Sequence, residues 1–173
     1  MTKNMLIAGF GWAKPVPVNM RNLRNPKRDM VLVSLAGPVS NLLLAFVSAA
    51  VLELIFAFNR NGFYIYNDKL DLLLYFFCQM LLMMVVLNVG LALFNLIPLP
   101  PLDGSKILAG LLPNDLAMRY LRIERYMGQI FLAVMLLSFT GILDVLLAPL
   151  DWLRGTVVNA FLSLFEFLFK GIG

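Results

Sequence analysis

The chain has 173 residues, of which 61% are hydrophobic and only 14% are charged. Soluble domains contain about a quarter charged residues, and a chain this short could not cover so much apolar surface in water with 14 basic and 10 acidic residues. The composition therefore excludes a soluble enzyme, a nucleic-acid-binding module and a disordered chain, and it favours a membrane protein.

The first predicted element is an irregular segment at residues 1–29. Prolines at positions 15 and 17 follow the sequence Gly-Phe-Gly-Trp at 9–12, and each proline disfavours the α conformation in the residue before it. We expect an extended strand or a re-entrant loop, which persists at membrane depth only where protein covers it or it lines a cavity. The alternative is a cytoplasmic loop on the lipid headgroups, anchored by Trp12.

Three stretches without a charged residue follow, at 31–52, 72–97 and 127–143. The first two have 22 and 26 residues and, at about 1.5 Å per residue, are long enough for a hydrocarbon core of about 30 Å. The third stretch is at the lower limit of length, and its neighbours could extend it. We predict transmembrane helices at 30–58, 71–97 and 126–150.

The distribution of Lys and Arg predicts the orientation of these spans. Six basic residues lie in 1–29, two lie between the first and second spans, four lie in 98–125, and two follow the third span. Because cytoplasmic loops carry an excess of basic residues, the N-terminal segment and the 98–125 loop should face the cytoplasm, and the C-terminal tail should face the outside.

The tail at 151–173 has a pattern of its own. Phe161, Leu164, Phe165 and Leu168 recur at helical spacing on one face, with polar residues on another. This pattern predicts an amphipathic helix that lies in the membrane interface. A further helix packed on the bundle is equally consistent with it.

Polar and small residues inside the first two spans predict helix packing or a site. Asn88 and Asn95 lie on one stripe of the second span, which should face protein, water or substrate because an unpaired amide in hydrocarbon is costly. In the first span, Gly37 and Asn41 belong to a small-residue track that lets another helix come close. Pro38 would kink this span if the helix begins well before it. For each of these residues, packing is the simpler interpretation.

A proline-rich sequence at 95–104, NLIPLPPLDG, follows the second span. Its prolines are Pro98, Pro100 and Pro101. They should end the second helix near Ile97, after which the chain should run extended, turn at Asp103 and Gly104, and restart as a helix at 105–112. The turn would place a carboxylate at the broken end of a membrane helix. Asp103 would either cap the next helix or serve as a functional ligand.

Four motifs then point to a family. They are GFGWAKPVPVN at 9–19, NPKRD at 25–29, AGPVSN at 36–41 and the 95–104 sequence, which matches N-x-x-P-x-P-x-L-D-G. In this order they resemble the site-2 proteases, the intramembrane zinc metalloproteases, in their compact bacterial form without a PDZ domain. The resemblance extends from about residue 9 to residue 125.

The resemblance implies roles for individual residues. Asp103 matches the carboxylate that is the family's third zinc ligand, and Asn95 matches an asparagine thought to contact the backbone of an unwound substrate. The region 9–18, with Gly9 and Gly11, resembles the re-entrant β element that holds substrate as an added strand. Zinc is thereby implied as the cofactor of the complete protein, and a transmembrane segment of another protein as the substrate.

The sequence departs from this family in one respect, because it contains no histidine. In the family, H-E-x-x-H on an earlier transmembrane helix supplies two zinc ligands and the general-base glutamate, and a catalytic zinc needs about three protein ligands. We therefore expect that this chain has no catalytic residue of its own, does not bind zinc alone and does not hydrolyse peptides. We favour a C-terminal portion of a protease; the alternatives are a pseudoprotease that binds transmembrane helices and a structural membrane protein.

Together these observations predict an all-α polytopic membrane protein with about three transmembrane helices, a re-entrant extended segment near the N-terminus and a C-terminal amphipathic helix. All 173 residues would form one membrane domain, in which the 98–125 loop carries the metal-ligand motif. We expect a multi-pass protein of a bacterial plasma membrane in contact with lipid, and a homo-oligomer is compatible with the sequence.

Overall fold

The computed structural model describes residues 25–60 and 68–170, which form helices and connecting turns without a β-strand in these ranges. The helices are α1 (Pro26–Arg60), α2 (Asp68–Asn95), α3 (Asp103–Leu111), α4 (Asn114–Leu121), a 3₁₀ helix (Arg122–Tyr126), α5 (Met127–Ser138) and α6 (Ile142–Phe169). The all-helical prediction is confirmed for the described residues. Residues 1–24 of the predicted re-entrant segment, which include Gly9 and Gly11, lie outside the described residues.

Three of these helices are long and apolar enough to cross a membrane. The apolar segments are Pro26–Asn59 in α1, Lys69–Asn95 in α2 and Ile142–Phe169 in α6. Large apolar side chains on their outer faces are exposed, including Leu43, Met80 and Leu87. A surface of this kind suits lipid and is costly in water, so the fold is that of a multi-pass membrane protein.

The third long helix lies later in the chain than the predicted range 126–150. That range contains α5, a turn and the first part of α6. With 12 residues, α5 is only about 18 Å long, which is too short to cross a bilayer. The break falls at Gly141, the N-cap of α6, whose φ of 72° is a left-handed conformation that glycine adopts at no steric cost.

The second half of α6 includes most of the tail. Val158 and Phe165 of α6 are buried, and the ring of Phe46 in α1 lies 4.7 Å from that of Phe165 and 5.4 Å from that of Phe161. Residues 151–169 therefore continue a helix that packs on the bundle, which was the alternative for this segment. The interfacial amphipathic helix is not confirmed.

Helix α1 is the centre of the bundle, because it packs against α2, α3 and α6. Ala45 and Ala49 of α1 are fully buried against Val85 and Val89 of α2. Small side chains at such a seam let two helix backbones approach closely. This contact between α1 and α2 continues toward the end of α2 and the start of α3, where backbone contacts set the geometry of the site.

Candidate active site

The segment between α2 and α3 breaks the second apolar helix where the prolines predict. Helix α2 ends at Asn95, and α3 begins at Asp103. The last turns are closed by hydrogen bonds from the amides of Leu96 and Ile97 to carbonyls of α2, and the Leu99 amide donates to the Ile97 carbonyl at 2.7 Å. Prolines have no amide hydrogen to extend this ladder, so the helix ends here.

The start of α3 approaches the end of α2 so closely that a glycine is required. A Cβ atom at position 104 would overlap the backbone carbonyl oxygens of Leu96 and Ile97. The next residue, Ser105, donates from both its amide (3.1 Å) and its hydroxyl (2.7 Å) to the Leu102 carbonyl. Because Gly104 and Ser105 are both buried, this contact fixes the direction in which α3 begins.

The carboxylate of Asp103 lies against α1. Its Oδ2 atom is 3.2 Å from the position that a Cβ atom would take on Gly37, and its Oδ1 atom is 3.4 Å from Nζ of Lys106. No side chain caps α3, whose N-cap is Leu102. The structure thus brings the 36–41 and 95–104 motifs together at Asp103, without the capping hydrogen bond that was the other interpretation of this residue.

The remaining predicted site residues differ in burial and in their hydrogen bonds. Pro38 and Pro100 are fully buried, whereas Asn41 and Asn95 are half-buried. Asn88 donates from Nδ2 to the carbonyl of Met84 at 2.8 Å, within its own helix. Asn88 therefore directs one amide donor to its own helix, and Asn95 is the half-buried amide at the end of α2 nearest the break. Pro98 is exposed.

Two long-range hydrogen bonds that the sequence did not predict connect the segments around the site. The hydroxyl of Tyr120 in α4 donates to the carbonyl of Pro98 at 2.5 Å, and burial raises the pKa of this phenol. Nζ of Lys27, in the 25–29 motif, donates to the carbonyl of Leu112 at 2.7 Å. These bonds join residues 22 and 85 positions apart, so no local pattern could have revealed them.

The donor set allows a test of whether zinc fits. A catalytic zinc has about three protein ligands, and residues 25–60 and 68–170 contain no cluster of three or more His, Cys, Asp or Glu that could hold a metal ion. Asp103 offers one carboxylate, which an adjacent ammonium group already partly neutralises. The described residues therefore supply one candidate ligand and do not form a zinc site by themselves.

The fold and the site define a class: a multi-pass membrane protein that presents a carboxylate immediately after a proline-broken apolar helix. Residues 64–138 match the sequence model of Peptidase family M50. The chain is also 38% identical over 163 residues to a Bacillus subtilis (strain 168) protein named "Putative zinc metalloprotease YwhC", in an alignment that covers 94% of this chain and 70% of the relative. No solved structure matches.

The chain belongs to peptidase family M50, the site-2 proteases, which are zinc metalloproteases. The family match includes α2, the proline-rich break, α3, α4 and α5. The resemblance deduced from the four motifs is thereby confirmed.

Proposed function

We propose that this chain forms the carboxylate-bearing part of an intramembrane zinc metalloendopeptidase that cleaves transmembrane segments in a bacterial plasma membrane. The observation that supports this proposal is the position of Asp103, at the start of α3 and against Gly37 of α1. Because the 173 residues contain no histidine, the 173-residue chain alone does not hydrolyse peptides. In this proposal, the chain is the C-terminal portion of the protease.

Zinc, when bound in the complete site, would activate a water molecule and polarise the scissile carbonyl. The contribution of this chain is one carboxylate, which Asp103 provides from a rigid helix start. Gly37 leaves room for that carboxylate beside α1, and the Tyr120 hydroxyl holds the preceding segment through the Pro98 carbonyl. The two imidazole ligands and the general-base glutamate come from an H-E-x-x-H helix that is not among these 173 residues.

The substrate must be extended before it can be cut, since the peptide bonds of a membrane helix are hydrogen-bonded within the helix. Asn95 lies half-buried at the end of α2, and a carboxamide can both donate to a carbonyl and accept from an amide. We assign Asn95 to the unwound stretch of the substrate. The substrate-binding role that the resemblance implies for Gly9 and Gly11 falls outside the described residues and stays a prediction.

A chimera tests the proposed function. In this chimera, the chain replaces the aligned region of the Bacillus subtilis relative, which also has sequence outside the alignment. We expect the chimera to cleave a single-span reporter protein when both are placed in lipid vesicles. In the same vesicles, the 173-residue chain with added zinc should leave the reporter intact. Asp103→Asn should lower the cleavage rate of the chimera by about 100-fold or more, because loss of a metal ligand should cost at least as much as loss of an outer-shell partner, which is about 10–100-fold.

The matched control is Asp144→Asn, which removes an exposed carboxylate in the first turn of α6. It should leave the cleavage rate unchanged. Cleavage by the 173-residue chain alone would contradict the claim of inactivity. A chimera that binds the reporter without cutting it, while the relative cuts it, would instead support a non-catalytic protein that binds transmembrane helices.

A further inference from the structure

The start of α1 and the helices α3 and α4 line a groove that the proposed protease chemistry does not use. Two cavities, of about 400 and 570 Å³, share the side chains of Met118 and Leu121 as lining, so they adjoin along α4. The larger share of the first cavity's lining is apolar. Ala109 and Ala117 are buried beneath it, while Met118 is 66% exposed.

Positive charge surrounds this apolar floor. The basic side chains that line the groove are Lys27, Lys106, Arg122 and Arg125, and its acidic lining residue is Asp115. These four cations belong to the segments that the distribution of Lys and Arg predicts to face the cytoplasm. An apolar floor under a basic rim is therefore present at the end of the bundle that is predicted to meet the cytoplasmic leaflet.

We propose that this groove binds an anionic phospholipid, with the phosphate of the headgroup among the basic side chains and an acyl chain along Met118 and Leu121. The basic side chains and the apolar floor together favour an anionic phospholipid over other ligands. A lipid without net charge would leave the excess of positive charge in the groove uncompensated, because four basic side chains line it against one acidic side chain. Free phosphate would leave the apolar floor uncovered. The cytoplasmic leaflet is rich in anionic lipids, to which Lys and Arg near the surface are attracted.

Lys106 connects the groove with Asp103. Its Nζ atom is 3.4 Å from Oδ1 of Asp103, and its side chain is 44% exposed. A headgroup phosphate in the groove would compete with Asp103 for this ammonium group. Lipid binding and the charge on Asp103 are thereby coupled, without any requirement that the chain be proteolytically active.

The experiment is a titration of the purified 173-residue chain in detergent with phosphatidylglycerol or phosphatidylcholine of identical acyl chains, read by native mass spectrometry. We expect phosphatidylglycerol to bind more tightly. The double variant Arg122→Gln with Arg125→Gln should weaken it by about 30-fold, since each cation near an anionic headgroup is worth about a fivefold change. The control variant, Arg28→Gln with Arg119→Gln, removes two exposed cations that do not line the groove and should weaken binding less than about threefold.

Asp103→Asn provides a second test, because it releases Lys106 from its ion pair. We expect this variant to bind phosphatidylglycerol about fivefold more tightly; an unchanged affinity would overturn the part assigned to Lys106. Equal affinity for the two lipids, or an equal loss in the control variant, would overturn the lipid site. Displacement of the lipid by an equimolar amount of inorganic phosphate would show a site for soluble anions instead.

Discussion

Gly104 is the residue at which the structure makes its sharpest stability prediction. Replacement by Ala places a Cβ atom onto the backbone carbonyl oxygens of Leu96 and Ile97, which cannot rotate away as side chains can. Overpacking typically costs about 1–3 kcal/mol, and two backbone contacts place this case near 3 kcal/mol. The higher helix propensity of Ala offsets up to about 1 kcal/mol, which leaves a net loss of about 2 kcal/mol.

The assay uses Cys78, which is half-buried in α2 and is the single cysteine of the sequence. Its reaction with a fluorogenic maleimide during heating in detergent reports unfolding. At about 2–4 °C per kcal/mol for a chain of this size, Gly104→Ala should lower the apparent Tm by about 4–8 °C. The control is Gly155→Ala in α6, where a Cβ atom meets nothing within 4 Å and where Ala should raise Tm slightly. A Gly104→Ala chain as stable as the parent would refute the reasoning about this close approach.

Two further substitutions test contacts that the sequence did not reveal. Tyr120→Phe removes the hydrogen bond to Pro98 and should cost about 1 kcal/mol at pH 7. Because burial raises the pKa of Tyr120, the folded chain holds this proton more tightly than the unfolded chain; the stabilisation is present below pH about 10 and is lost as the pH rises further. Thermal unfolding of parent and variant from pH 8 to 11 should therefore show the steeper decline in the parent. Phe46→Ala removes the ring contacts between α1 and α6 and should lower Tm by several degrees, whereas Phe167→Ala, at a ring that is 76% exposed, should not.

The broken helix could be predicted from the sequence because its cause is local. Proline lacks the backbone N–H donor and restricts the conformation of the residue before it. Three prolines within four residues therefore end a helix whatever its tertiary surroundings. The predicted end near Ile97 and the restart near residue 105 lie within two residues of the observed Asn95 and Asp103, which is the ordinary uncertainty of helix ends.

The third apolar helix could not be located in this way. Hydropathy marks 127–143 as a charge-free run, but it does not distinguish one helix from two that are separated by a turn. The turn depends on the left-handed conformation of Gly141. Helix α6 also includes Asp151 and Arg154, whose ion pair at 3.1 Å reduces the cost of placing two charges in an apolar helix.

The surroundings of Asp103 depend on packing between distant segments. The carboxyl group of Asp103 in α3 and Gly37 in α1 meet because α1 packs on both α2 and α3. The resemblance to the family indicated that both motifs matter, but not that the glycine makes room for the carboxylate. The bonds from Lys27 and Tyr120 likewise follow from the tertiary fold, and a single sequence contains no signal for them.

The most direct measurement is the zinc content of the chimera with the Bacillus subtilis relative, determined by elemental mass spectrometry after dialysis against a weak chelator. We expect about one zinc ion per chain in the unmodified chimera and in Asp144→Asn, and less than about a tenth of that in Asp103→Asn, because a zinc site that loses one of about three ligands binds far more weakly. Full zinc retention in the folded Asp103→Asn chimera would contradict the assignment of this carboxylate as a metal ligand.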